Sequence, residues 1–175
     1  MNRFLPEKEG HGTAVDGSGV IVCRSHFFAG LLVTRDGDLN QPAPDFSLPE
    51  TFGGSVGFES YRGRPVLLVF WATSCGICRR ELPAVSRVAP EFRSKGIGVV
   101  AIHVGWADDV RDFMQSNHIA LTSLVDAEGA VGQAYHVSGV PKMVLIGADG
   151  KIKRTKAGMA DESELREWMD AAGAS

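Results

Sequence analysis

The stretch "VLLVFWATSCGICRRELPAV", residues 66–85, decides how this chain is read. It opens inside a continuous apolar run, "RPVLLVFWA" over 64–72, which has the length of a strand. An unbroken run lacks the alternation of a half-exposed strand, so it predicts a strand buried on both faces. The period then changes. Leu82, Val85, Ala89 and Phe92 fall at helical spacing with Val88 beside them, which predicts a helix from Gly76 to Lys95 with Gly96 as its stop. Between strand and helix stand Cys75 and Cys78, two of only three cysteines in the chain.

That placement suits redox chemistry. A cysteine at a helix start lies near backbone N–H groups that have no partner within the helix, and their partial positive charge favours thiolate over thiol. Cys75 is therefore expected to attack a disulfide. Cys78, one turn on and pointing inward, is expected to resolve the mixed disulfide that results. Zinc is the rival reading, but it wants four ligands. The remaining cysteine is Cys23, and His103, His118 and His136 show no paired spacing. Two inert buried thiols are the other rival, and the exposed end of a strand is a poor place to hide them.

Outward from the pair, "IGVVAIHV" (97–104) reads as a second buried strand and "ADDVRDFMQSNH" (107–118) as an amphipathic helix beginning with acidic residues. "LTSLVD" (121–126) reads as a short strand or loop and "EGAVGQAYHV" (128–137) as a short helix. "PKMVLIG" (141–147) and "KIKRTKAG" (151–158) flank Asp149-Gly150, a strong hairpin signal. "DESELREWMDAA" (161–172) closes as a helix, with Asp161 as cap and Glu164 three residues later. Towards the N-terminus, "GGSVGFESYRG" (53–63) reads as a short strand and turn, and "NQPAPDF" (40–46) as a proline-bearing linker. The expected fold is α/β, a central mixed β-sheet with helices on both faces. The expected organisation is an N-terminal leader over 1–40, with short strands in 19–33, followed by one domain over 41–175.

Composition narrows the partners. The 175 residues carry a net charge of −3, and the one basic run, "KIKRTK" (151–156), reads as a solvated strand face. Nucleic acid is not expected, because phosphate binding needs clustered cations. No apolar run reaches the 18 residues of a membrane span. Residues 1–22 carry Glu7, Glu9 and Asp16 and do not read as a signal peptide. "VIVC" has the look of a lipoprotein cleavage box, but Val22 stands where a small residue is needed.

"FWATSCGICRRELP" resembles the active site of the thioredoxin superfamily, and most closely the TlpA/ResA-like thiol-disulfide oxidoreductases, relatives of the AhpC/TSA redoxins. "PAPDFSLPETFGG" (42–54), "YRGRPVLLVFWAT" and "YHVSGVPKMVLIGADGKI" (135–152) extend the resemblance over three quarters of the chain. It implies a thioredoxin-like fold and a redox-active Cys75–Cys78 disulfide, with no organic cofactor or metal. The implied partners are protein thiols and disulfides, with an upstream electron donor. It implies that Pro141 is a cis proline facing the disulfide and that Val140 offers its backbone to substrate. Glu81 matches an acidic residue that moves protons near the cysteines, and Pro83 matches a proline that kinks the active-site helix. Trp71, Gly76, Ile77, Val140 and Pro141 are the expected substrate contacts. Many relatives act outside the bacterial cytoplasm, often as reductants in cytochrome c maturation. A periplasmic or other extracytoplasmic setting follows, with a cytoplasmic one as the alternative.

Three positions depart from the family pattern. Ser74 replaces a tryptophan before the first cysteine. Gly76-Ile77 replaces the usual inner dipeptide, which tunes redox potential. Val69 stands where ordinary thioredoxins bury an aspartate, so proton handling falls to Glu81 or water. Two other functions share the fold. A peroxiredoxin-type thiol peroxidase would need a proline-threonine motif in the same loop, and no proline lies between Trp71 and Cys75. A non-catalytic binding module would have no need of the cysteine pair. Cys23 is expected to be a free structural thiol.

Overall fold

The computed structural model describes residues 38–106 and 108–173. The expected leader, apart from its last three residues, lies outside these, as do its strand pair and Cys23. A sheet of five strands runs β5-β4-β3-β6-β7, with β3 (Val66–Trp71) at its centre. β3 pairs in parallel with β4 (Gly98–Val104), and β4 in parallel with β5 (Thr122–Asp126). β6 (Lys142–Ile146) and β7 (Ile152–Ala157) add antiparallel strands. The mixed sheet expected from the element order is therefore present. The segment 121–126, whose sequence suits either a strand or a loop, forms the edge strand β5.

Central position explains the unbroken apolar run. All six residues of β3 are buried, and alternate ones enter different cores. Leu67, Val69 and Trp71 pack with α1 (Gly76–Ser94), α2 (Val110–Ser116) and α4 (Glu162–Gly173) through residues such as Leu82, Phe92, Phe113 and Trp168. Val66, Leu68 and Phe70 face Phe46, Phe58 and Tyr135 on the other side, where α3 (Ala130–Ala134) also lies. Burying a side chain of this size is worth about 1.5–3 kcal/mol, so the two cores make β3 the fixed axis of the fold.

α1 ends as expected, its chain turning at Gly96 with φ +76°. The Asp149-Gly150 turn also holds, with Gly150 at φ +74° and its N–H donating to Gly147 O at 2.9 Å. Other expectations change. α2 starts at Val110, after the acidic residues, and Asp109 at its N-cap makes no side-chain bond. α3 is limited to five residues. A three-residue β1 (Ser47–Pro49) pairs with β2 (Ser55–Gly57), a hairpin the sequence reading did not contain. The stretch read as a linker is pinned to the β6–β7 hairpin. Asn40 N–H donates to Ile152 O, Ala43 N–H to Gly150 O, and Ile152 N–H to Gln41 O, at 2.8–3.0 Å.

Candidate active site

β3 ends at Trp71, and four residues later α1 begins with Cys75 as its N-cap. The cap is made by sulfur. Cys78 N–H points at Cys75 Sγ across 3.2 Å, so one of the N–H groups that a helix start leaves unpaired is aimed at this atom. The two cysteines form a disulfide, with Cα atoms 5.3 Å apart. Cys75 is half-buried and Cys78 is fully enclosed, which is the asymmetry expected from their places on the helix.

From the other side comes the loop before β6. The Val140–Pro141 peptide is cis, as the resemblance implied, and Val140 O lies 3.7 Å from Cys75 Sγ. Pro141 is buried, and its carbonyl accepts from Gly158 N–H at 2.7 Å, which ties the loop to the end of β7. The sulfur is thus bracketed by a donor from α1 and a carbonyl from the β6 loop. Gly76 is exposed and Ile77 is 48% exposed, so the inner dipeptide forms open surface beside it.

One expected substrate contact sits differently. Trp71 is fully buried, because it ends a central strand covered on both faces. Its ring lies 5.2 Å from that of Phe113, and it supports the turn from below instead of presenting surface to a substrate. Glu81 stands one turn past Cys78, half-buried, and among the described residues its carboxylate makes no hydrogen bond or ion pair. Val69, in the position of the thioredoxin aspartate, is buried among apolar neighbours, so this core offers no carboxylate there. Pro83 lies within α1, and so does Pro90.

One residue of the site escaped the sequence reading. His103, considered there only as a metal ligand, is buried on β4 directly beside Trp71 in the parallel register. Its Nε2 accepts the N–H of Thr73 at 3.0 Å, two residues before Cys75, and its Nδ1–H donates to Gly105 O at 3.0 Å. The Trp71 ring stands perpendicular to it at 5.2 Å. Burial pushes the imidazole below its ordinary pKa, while the Gly105 bond and the charge of Asp109 act the other way. A single imidazole inside "GVVAIHV" was the available signal, because a buried histidine has to find partners for both ring nitrogens. Among the described residues, no three His, Cys, Asp or Glu side chains gather as a metal site.

The family model described as AhpC/TSA family matches residues 39–155. The chain belongs to the AhpC/TSA family. Its kinship with ResA-type proteins is equally direct. It is 33% identical over 129 residues to the thiol-disulfide oxidoreductase ResA of Bacillus subtilis, covering 73% of this chain and 72% of that one. Among solved structures, a putative thiol:disulfide interchange protein DsbE from Chlorobium tepidum superposes with a TM-score of 0.71 at 30% identity, over 77% of this chain and 97% of that one. A secreted Mycobacterium tuberculosis disulfide oxidoreductase homologous to E. coli DsbE follows at a TM-score of 0.62 and 28% identity, over 72% and 95%. This AhpC/TSA-family chain is accordingly a thioredoxin-fold thiol-disulfide oxidoreductase, with Cys75 and Cys78 as its C-x-x-C pair.

Proposed function

We propose that the enzyme exchanges its Cys75–Cys78 pair with cysteines of partner polypeptides, with Cys75 as the nucleophile. The observation that carries this is the 3.2 Å approach of Cys78 N–H to the Sγ of the less buried cysteine. In the reducing direction, the Cys75 thiolate attacks one sulfur of a partner disulfide, and the partner's second sulfur leaves as thiolate. Cys78, once deprotonated, attacks Cys75 Sγ. The mixed disulfide breaks, the Cys75–Cys78 bond forms, and the partner's other thiolate departs. Two electrons pass to the partner, and its two sulfurs take up two protons in place of those lost by the pair. Oxidation of a partner is the same sequence reversed.

In this reading Glu81 carries protons to and from the pair. Val140 offers its carbonyl edge to an extended partner strand above Pro141. Gly76 and Ile77 supply the contact surface. The cysteines carry both electrons, so no further cofactor takes part. We place the enzyme outside the cytoplasm, and its specific task as reduction of cysteines destined for c-type haem attachment. The support is the likeness to ResA and to one secreted disulfide oxidoreductase homologous to DsbE.

The test uses two probes, insulin and an oxidised Cys-x-x-Cys-His peptide. The reduced enzyme is expected to reduce both, and Cys78→Ser is expected to stall as a mixed disulfide through Cys75. An enzyme that reduces neither probe while consuming peroxide would contradict the reading in favour of a thiol peroxidase. Reduction of insulin alone would remove the haem-attachment task and leave the exchange activity standing.

A further inference from the structure

The two bonds of His103 admit a single protonation state. Gly105 O can only accept, so Nδ1 must carry a hydrogen. The Thr73 amide can only donate, so Nε2 must offer its lone pair. The ring is therefore the neutral Nδ1–H tautomer. Thr73 Oγ1 lies 3.4 Å from the same Nε2, which the shorter amide bond already occupies. Trp71 is packed perpendicular against the ring. A buried imidazole in a fixed tautomer thus bridges the loop after β3 and the loop after β4.

The first of these loops delivers the nucleophile. Cys75 N–H closes the turn by donating to Ala72 O at 3.1 Å, and Thr73 sits inside that turn, 7% exposed. The turn therefore has one anchor of its own and one on the neighbouring strand. We propose that His103 is a positioning residue for thiol exchange, holding the Thr73 amide so that the turn presents Cys75 Sγ to the Cys78 N–H and the Val140 carbonyl. This rests on the reading of Cys75 as nucleophile. An apolar side chain in place of the imidazole would fill the space but strand the Thr73 N–H. The turn would then open towards water to satisfy it, and Sγ would drift from the donor that stabilises its thiolate.

The experiment compares reduced wild type, His103→Leu and His103→Gln by the rate of Cys75 alkylation against pH. Glutamine can place an oxygen near the Nε2 position and accept the same amide. His103→Leu is expected to raise the Cys75 midpoint by about one pH unit, and so to slow labelling near neutrality about tenfold. His103→Gln is expected to stay within about twofold of wild type. Coincident curves for wild type and His103→Leu would overturn the proposal, as would equal shifts in the two variants, which a purely packing role would give. Wild type labelled first on Cys78 would instead defeat the reading of Cys75, and the proposal with it. Should His103→Leu fail to fold, nitrogen-15 NMR of the wild-type ring decides. The Nδ1–H tautomer with a slowly exchanging Thr73 amide is expected, and a proton on Nε2 would overturn the assignment.

Discussion

The parallel strands β3, β4 and β5 have two ends, and the two are built for different purposes. At the N-terminal end lies a cleft of about 580 Å³, lined by Glu50, Tyr61, Arg64, Arg93 and Thr122 among others. Its cations are already engaged. Arg93 donates to Ala120 O at 2.7 Å, and Arg64 donates to Ser60 O at 3.0 Å while lying over the Tyr61 ring. At the C-terminal end the polar groups converge on one sulfur instead. The cleft contains neither cysteine, and Cys75 stands at a helix start beside the exposed Gly76 and Ile77. A pocket suits a small ligand that it can surround. A sulfur that must meet another sulfur on a folded partner has to be presented, with its electrostatics supplied from beneath.

The sharpest way to break this comparison is to disable each end in turn. Cys75→Ser should lower insulin reduction by about three orders of magnitude, because the thiol that remains in the pair, Cys78, is enclosed in the core and poorly placed to attack a partner. Arg93→Ala, at the far cleft, should leave the rate within about twofold. A comparable loss in Arg93→Ala would show that the two ends do not work separately.

A smaller effect concerns pH. Burial favours the neutral form of His103 in the folded protein, while the unfolded chain takes up its proton at the ordinary value of about 6.5. Below that value the unfolded state binds more protons, so this contribution to stability is present above about pH 6.5 and is lost as pH falls towards the lowered folded value. Urea unfolding of wild type and His103→Gln at pH 7.5 and 5.5 checks it. Wild type should lose more stability on acidification than the variant, and parallel losses would assign the acid sensitivity to other groups.

The smallest effect is expected at Glu81. A carboxylate near a thiolate disfavours it, so Glu81→Gln should lower a cysteine pKa and shift the alkylation profile to lower pH by a fraction of a unit, with the fold retained. Identical profiles would make Glu81 an ordinary helix side chain.

Much of the fold was legible in the sequence because its signals are local. The run at 66–71 is continuous because β3 is central, and Cys75 follows it within one turn. Gly96 and Gly150 mark turns that need a left-handed residue. Asp161 caps α4, its Oδ1 accepting Glu164 N–H at 2.9 Å. What escaped depends on distant partners. Glu164 does not complete a capping box, because its carboxylate is drawn to Lys156 on β7. β1 has three residues and ends in proline, too short for any periodicity to register. "NQPAPDF" has linker composition, and only the hairpin more than a hundred residues away shows that its backbone is bonded. His103 sits in an apolar run, and the amide it holds is 30 residues away.

The central claim is that helix position makes the two thiols unequal. Cys75 Sγ receives the Cys78 N–H at the helix start, whereas Cys78 is enclosed in the core, where charge is disfavoured. The direct measurement is mass spectrometry of reduced wild-type protein after a single alkylation near neutral pH. The label should sit predominantly on Cys75. A label mainly on Cys78 would contradict the account and reverse the roles of nucleophile and resolving thiol.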